Sequence, residues 1–181
     1  YCSFSHVISN FTPIHYDCGH DEENQAFHEA LRFAFEHLRR LWERFKYMQS
    51  CRQTVADSMA SGRDYLIFDR NLPWLEIFFD LNGAEHSALF VIMPSGNHWK
   101  LRGIPPSYQD RMKVRLPQPK EWAGLLDEDL KRVSGISGAV FCHKGRFISV
   151  WETSEDALKA LEYTLKYAEE EEYDNDFWKN Y

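Results

Sequence analysis

Residues 21–61 contain no proline, and Phe27, Leu31, Ala34, Leu38, Leu41, Trp42, Phe45 and Met48 recur there at steps of three and four. This spacing returns apolar side chains to one face of a 3.6-residue helix, so one long amphipathic helix, or two end to end, is predicted. The opposite face carries Glu36, Arg39, Arg40, Glu43 and Arg44, and Gly62 supplies a stop. A polar back and an apolar front require the front to be buried against something.

The rest of the chain reads as short strands and short helices. Residues 65–68 form a short strand, and Leu72-Pro73-Trp74 opens a helical turn through Phe79, with proline at a tolerated first-turn position. "SALFVIMP" and "NHWKLRGIP" are two strands joined across Pro94-Ser95-Gly96-Asn97. The first is apolar on both faces and is expected to be central. The second alternates Trp99, Leu101 and Gly103 against Lys100 and Arg102, which places the two cations on one face. Residues 105–119 hold four of the seven prolines and no periodicity, hence a long loop. Residues 121–133 read as one or two short helices ending at Gly135.

A hairpin follows, with strands 139–143 and 146–150 around a Lys144-Gly145 turn. That register sets His143 opposite Arg146 and puts Phe141 and Ile148 on one face. Thr153-Ser154-Glu155-Asp156 is close to a capping box and opens a helix that buries Ala157, Leu158, Leu161 and Leu165. The acidic run beyond Tyr167 reads as a frayed helix end or a disordered tail. The fold class is α+β: a mostly antiparallel or mixed sheet packed with a long N-terminal helix (or helix pair) and a C-terminal helix.

Of 181 residues, 44% are hydrophobic and 15% aromatic, enough for a sizeable core. The net charge of -7 and a mean hydropathy of -0.54 suggest neither a nucleic-acid-binding composition nor a membrane protein, and apolar runs such as residues 88–93 are too short to span a bilayer. The average hides a division. Residues 94–120 carry six Lys/Arg against one acid, whereas residues 152–181 carry ten acids against three lysines. Cys2, Cys18, Cys51 and Cys142 form no C-x-x-C pair, which fits a reducing, cytoplasmic location. The first residue is Tyr1, and the opening stretch starts without a capping signal, as though it continued an earlier segment.

Three groups of residues carry the materials of chemistry. His15-Tyr16-Asp17-Cys18-Gly19-His20-Asp21 has the residue types of a metal site, but acids ahead of a helical pattern equally mark a helix N-terminus, and the spacing matches no paired-ligand motif. The basic segment around Lys100 and Arg102, with Arg111 and Arg115 in the loop and Trp99 and Tyr108 nearby, has the cations and rings that phosphate contact and base stacking use. Its plain alternative is a solubilised strand edge with Trp99 in the core. At the hairpin tip, His143 facing Arg146 would repel when protonated unless an anion lay between them; the plain reading is an ordinary polar turn. The chain has no G-x-S-x-G, P-loop or G-x-G-x-x-G, and Gly135-Ile136-Ser137-Gly138 is weak evidence by itself.

"LPWLEIFFDL", "WKLRGIP", the ordered string W-x-G-L-x-D-E-x-L-x-x-V-S-G-I-x-G from Trp122 to Gly138, and "TSEDALKALEYTL" together resemble the C-terminal half of the Myg (melanocyte proliferating gene) family. That family is also catalogued as metal-dependent protein hydrolases and is related to the DHH phosphoesterases. The likeness runs over residues 7–165. It departs after Phe147-Ile148, where the family's glycine pair is replaced by Ser149-Val150-Trp151. The resemblance implies residues 1–20 as a linker from a separate N-terminal DHH-like domain, residues 21–168 as a substrate-binding domain, and residues 169–181 as an acidic tail. It also implies a divalent metal, manganese or magnesium, in that other domain, and RNA or a nucleotide as substrate. On this reading Lys100, Arg102, Arg111, Arg115, His143, Lys144 and Arg146 contact phosphates, and the chain alone is inactive. The rival reading is a non-catalytic interaction or dimerisation module, with the long helix as its surface and a homodimer as its product.

Overall fold

The computed structural model describes residues 3–179 except Tyr16, with side chains described through residue 171. The chain divides into two compact units, residues 1–50 and residues 51–181, and the long helix α2 (His20–Met59) contributes to both. Its bounds lie within two residues of those predicted from periodicity.

In the first unit, α1 (Phe4–Ser9) is capped by Ser3, whose hydroxyl accepts from the His6 amide at 3.2 Å. Phe4 stacks on His37 of α2 with centroids 4.8 Å apart, and Phe11 lies 5.3 Å from Phe33. Asp21, Glu22 and Glu23 occupy the first turn of α2, where the helix dipole favours negative charge.

The second unit is built on a five-stranded mixed sheet in the order β1 (Tyr65–Ile67), β2 (Phe90–Ser95), β3 (His98–Gly103), β5 (Ile148–Trp151), β4 (Ala139–Cys142). Only β1 and β2 are parallel. The fold is therefore α+β, as the sequence pattern predicts. On one face, Phe90, Ile92, Leu101 and Trp151 form a core with Leu130 of α4 (Asp127–Ser134) and Ala157, Ala160 and Leu161 of α5 (Ser154–Lys179). Trp122 joins it edge-to-face with Trp151, centroids 5.5 Å apart. Around the opposite face, Cys51 and Val55 at the end of α2, Phe68, Leu72, and Trp74, Ile77 and Phe78 of α3 (Trp74–Asp80) are buried, as are Leu66, Val91 and Met93 of the sheet itself. α3 starts at Trp74 with Pro73 as its N-cap, one step earlier in the capping scheme than predicted.

Three local expectations are corrected. The turn between β2 and β3 is two residues, not four: Ser95 pairs with His98, and Gly96 takes φ +63° at the first turn position. Pro94 is tolerated inside β2 because it lies beyond the last residue paired to β1, Ile92 opposite Ile67. At the later hairpin the register is displaced by two residues: Phe141 pairs with Val150 and Cys142 with Ser149. His143 donates its amide to Ile148 O at 2.9 Å, and a turn closes from Arg146 N to His143 O at 2.8 Å. The left-handed residue in this loop is Arg146 (φ 57°), not Gly145. A shift of two keeps Phe141 and Ile148 on the same face while removing the expected His143–Arg146 opposition. Finally, α5 continues through Lys179, and the acidic run begins tied to the domain: Lys120 Nζ lies 2.8 Å from Glu171, and Tyr167 OH donates to Glu121 and Glu171 at 3.1 and 2.9 Å.

Gly135 and Gly138 have separate structural duties. Gly135 ends α4 in the left-handed conformation (φ 71°), its amide donating to Lys131 O at 2.9 Å. Gly138 lies against the capping box of α5, where Asp156 N donates to Thr153 Oγ1 at 3.1 Å and Thr153 Oγ1 donates to Asp156 Oδ2 at 2.8 Å. A Cβ at position 138 would come within 2.0 Å of Asp156 Oδ2. Gly138→Ala is expected to cost about 1–3 kcal/mol through this clash, and Gly135→Ala about 1 kcal/mol through backbone strain. Urea unfolding of the two variants, compared with the parent chain, checks the order.

Candidate functional site

Strict alternation along β3 sends Leu101 into the core and Lys100 and Arg102 to the other side of the sheet. The ladders then place Lys100 beside Val150 and Phe141, and Arg102 beside Ile148. Next along β4 is His143, whose ring meets Phe141 edge-on at 6.1 Å and Phe147 at 4.4 Å. The result is a grid of two cations, two aliphatic side chains and two rings across β3, β5 and β4. All six are partly exposed, in contrast to the buried Val91 and Met93 beside them on β2.

The cationic edge of the grid is extended by its neighbours. Lys100 Nζ lies 3.4 Å from Asn71 Oδ1, and the Arg102 guanidinium sits 5.9 Å from the Trp74 ring. Arg111 packs over Tyr108 at 4.0 Å and donates through Nε to Tyr108 O at 3.2 Å. Burial and then Arg102 hold the Lys100 pKa below the ordinary lysine value; burial and then Arg111 do the same to Arg102. Positive charge thus accumulates along this edge, Arg102 acting on Lys100 and Arg111 on Arg102, and a neighbouring anion would offset it. Asn71 and Trp74 carry no local sequence signal for this site, since the contacts that recruit them cross 28 or more residues of chain. Trp99 lies on the opposite face of β3, packed against the core with Trp151 as its ladder partner.

Of the remaining proposed phosphate contacts, Arg115, Lys144 and Arg146 lie outside this grid of six side chains. Arg115 is a structural clasp: Nη1 donates to His86 O and to Ala88 O (2.9 Å), and Nη2 donates to Gly83 O (2.6 Å) and Ala84 O (3.4 Å). Four backbone carbonyls take its terminal donors and tie the loop that follows β3 to the segment after α3. Arg146 donates to Gln118 O at 3.4 Å and its own carbonyl accepts from the Gln118 amide at 3.0 Å, so it fastens the hairpin to that loop. Lys144 is exposed, with its Cβ beside Gly124. His143 Nδ1 accepts from the Gly145 amide at 2.9 Å, which leaves Nε2 as the ring's free nitrogen.

Cys142, next to His143 in sequence, faces the core. Its thiol donates to Gln118 Oε1 at 3.4 Å, and burial pushes its pKa up to about 12, only partly opposed by Arg146. A thiol so protonated is no nucleophile. Among the described residues no three or more His, Cys, Asp or Glu side chains converge as a metal site. In the 15–21 segment, His20 Nδ1 pairs with Glu23 at 3.1 Å, and Tyr16 lies outside the described residues. The divalent metal implied by the resemblance finds no ligand set among the described residues.

An α+β domain whose sheet is covered on one face by α4 and α5, and carries on the other, beside α3, a partly exposed cationic and aromatic patch, is the class that this geometry defines. Residues 2–165 match the model of the MYG1 exonuclease family, described as "Uncharacterised protein family (UPF0160)". The chain belongs to this family. It is 47% identical over 166 residues to "MYG1 protein" of Chlamydia trachomatis, covering 92% of this chain and 56% of that one. It is 28% identical over 170 residues to "MYG1 protein C27H6.8" of Caenorhabditis elegans, covering 86% and 50%. A third relative, human "MYG1 exonuclease", is 34% identical over 97 residues, covering 51% of this chain and 26% of that one. The chain spans about half the length of the curated relatives it matches. No solved structure matches it. Among the described residues, no helix is long and apolar enough to cross a membrane.

Two outcomes test the assignments made from geometry. Arg115→Ala should lower stability by about 2 kcal/mol, because it orphans several carbonyls at once, and should leave ligand binding at the open face unchanged; thermal unfolding and a binding titration measure both. Cys142 should resist iodoacetamide at pH 8 in the folded chain and react once the chain is unfolded in urea, as mass spectrometry of the alkylated peptides would read out.

Proposed function

We propose that the open face of β3, β5 and β4 is the substrate-binding surface of a MYG1-type exonuclease, gripping the phosphates and bases of a nucleic acid or nucleotide. Hydrolysis, and any divalent metal it uses, belong on this reading to a part of the protein outside the half that this chain represents. The observation that carries the proposal is the grouping of Lys100, Arg102 and Arg111 on the sheet face that also presents partly exposed Phe141 and His143. Cations in that arrangement hold phosphate oxygens, and a ring one or two residues away offers a stacking platform for a base. The printed name of the human relative, an exonuclease, fits this chemistry. Arg115, Lys144 and Arg146 are left out of the grip because the first is committed to backbone carbonyls and the other two sit at the loop side of the hairpin.

A short single-stranded oligonucleotide, titrated at two salt concentrations by fluorescence anisotropy, provides the test. Lys100→Ala and Arg102→Ala should each weaken binding and reduce the log–log salt slope by about 0.7, the value for one lost phosphate contact on a single strand. Phe141→Ala should weaken binding by about 1–3 kcal/mol while leaving the slope unchanged, as expected for lost stacking. Binding absent at low salt, or indifferent to all three changes, overturns the proposal. The pH dependence has a defined sign. Lys100 binds phosphate in its charged form, and its pKa is lowered in the fold, so affinity is full below that lowered value and falls as pH rises through it, earlier than an ordinary lysine would allow. Lys100→Arg should flatten this alkaline loss.

A further inference from the structure

The segment after β3 leaves the sheet and returns beside the point where it left. The Ile104 amide donates to Leu89 O and the Arg115 amide to Ile104 O, both at 2.8 Å, so residues 105–114 form a surface loop with adjoining ends. Its base is rigid. Val114 packs on Gly103, where a Cβ would come within 2.7 Å of Val114 Cγ1, and the Arg115 guanidinium holds residues 83–88 through their carbonyls.

The tip of this loop is shaped by its own residues. Asp110 N donates to Ser107 Oγ at 3.2 Å, Lys113 N donates to Asp110 O at 2.9 Å, and Lys113 Nζ lies 3.1 Å from Asp110 Oδ1. These contacts run between residues three apart, so they hold the tip's shape without fastening it to the sheet. Tyr108 touches a neighbour, edge-on to Phe79 of α3 with centroids 6.3 Å apart. Arg111 is folded back on the same Tyr108 ring and lies near enough to Arg102 to lower its pKa. Its Nη1 and Nη2 have no hydrogen-bond partner among the described residues. Between Arg111 and Lys113 stands Met112, 76% exposed, the most exposed large apolar side chain among the described residues of the second unit.

Building on the substrate-binding reading of the open face, we propose that residues 105–114 are a strap that closes over a nucleic-acid strand lying on Lys100 and Arg102. In the closed form Met112 packs on a base, and Arg111 takes the phosphate next to the one held by Arg102. The strap turns on its pinned ends as one body and exchanges the Tyr108–Phe79 contact for contacts with the strand. Lys113 keeps Asp110 neutralised, so the one acid of the tip does not repel the phosphates. An unbranched, polarizable thioether adapts to the face of any base, so the strap adds affinity without choosing sequence.

Fluorescence anisotropy of the 181-residue chain with two labelled probes tests the strap. One probe is a mixed-sequence single-stranded oligonucleotide, the other a strand of the same length in which every site is abasic. Met112→Ala should weaken binding of the first by about tenfold, as for loss of a buried apolar contact, with no change in its salt slope. Binding of the abasic strand should be unaffected by that change. Met112→Leu keeps the apolar volume and should restore most of the affinity. Arg111→Ala should weaken both probes and lower the salt slope of each by about 0.7. Arg111 and Lys113 bracket the tip as trypsin sites, and saturating oligonucleotide should slow cleavage after them by about tenfold or more as the open form is depleted. If the parent chain binds neither probe, the substrate-binding reading and the strap fall together. Binding that needs Lys100 and Arg102 but ignores Met112→Ala, an equal Met112→Ala loss on the abasic strand, or a tip still open to trypsin in the complex overturns the strap alone.

Discussion

The second unit depends on the two-residue period of β3. Leu101 on one side joins Phe90, Ile92 and Trp151 beneath α5, while Lys100 and Arg102 on the other lie beside Val150 and Ile148, with Arg102 5.9 Å from the Trp74 ring of α3. A slip of one residue in this strand would bury two cations and expose the core, so the register is fixed by the cost of desolvating charge together with the gain from burying Leu101. Everything at the candidate site inherits that register: β5 brings Ile148 and Val150 to the same side, and β4 adds Phe141 and His143.

Around this strand the loops act as fasteners. Gln118 donates its side-chain amide to Leu101 O at 3.1 Å, accepts from the Cys142 thiol, and exchanges backbone and side-chain contacts with Arg146. Arg115 closes the other side of the same loop onto residues 83–88. Long proline-rich segments are commonly variable surface, but this one is pinned by hydrogen bonds to the backbone of Leu101 within β3, of Ile104 just beyond it and of residues 83–88, which holds the cationic edge in place. The glycines of the G-x-x-G string serve the same end: one stops α4, the other admits the cap of α5.

Much of this architecture was legible beforehand. The long helix, the two central strands, the facing of Lys100 and Arg102, the α4 stop at Gly135 and the Thr153 cap all follow from local periodicity and capping chemistry. The fate of the individual cations was not. Arg102 and Arg115 look alike in sequence, yet one rests over Trp74 on an open sheet face and the other is consumed by four carbonyls contributed by residues 27 to 32 positions earlier. The hairpin tip was misread for a related reason. Lys144-Gly145 has the composition of a two-residue turn, but the cross-strand pairs Phe141–Val150 and Cys142–Ser149 set a longer loop in which Arg146 takes the left-handed conformation.

The sequence by itself determined the α+β class, the alternation of β3 and the amphipathic spacing of α2, because each is a period of two or of between three and four residues written in neighbouring positions. Only the tertiary structure decided which cations remain available, that Trp74 is turned toward them, and that Cys142 is an inert core thiol. Those outcomes rest on hydrogen bonds and desolvation between residues far apart in the chain, and no local pattern encodes which distant carbonyl or ring a guanidinium will meet.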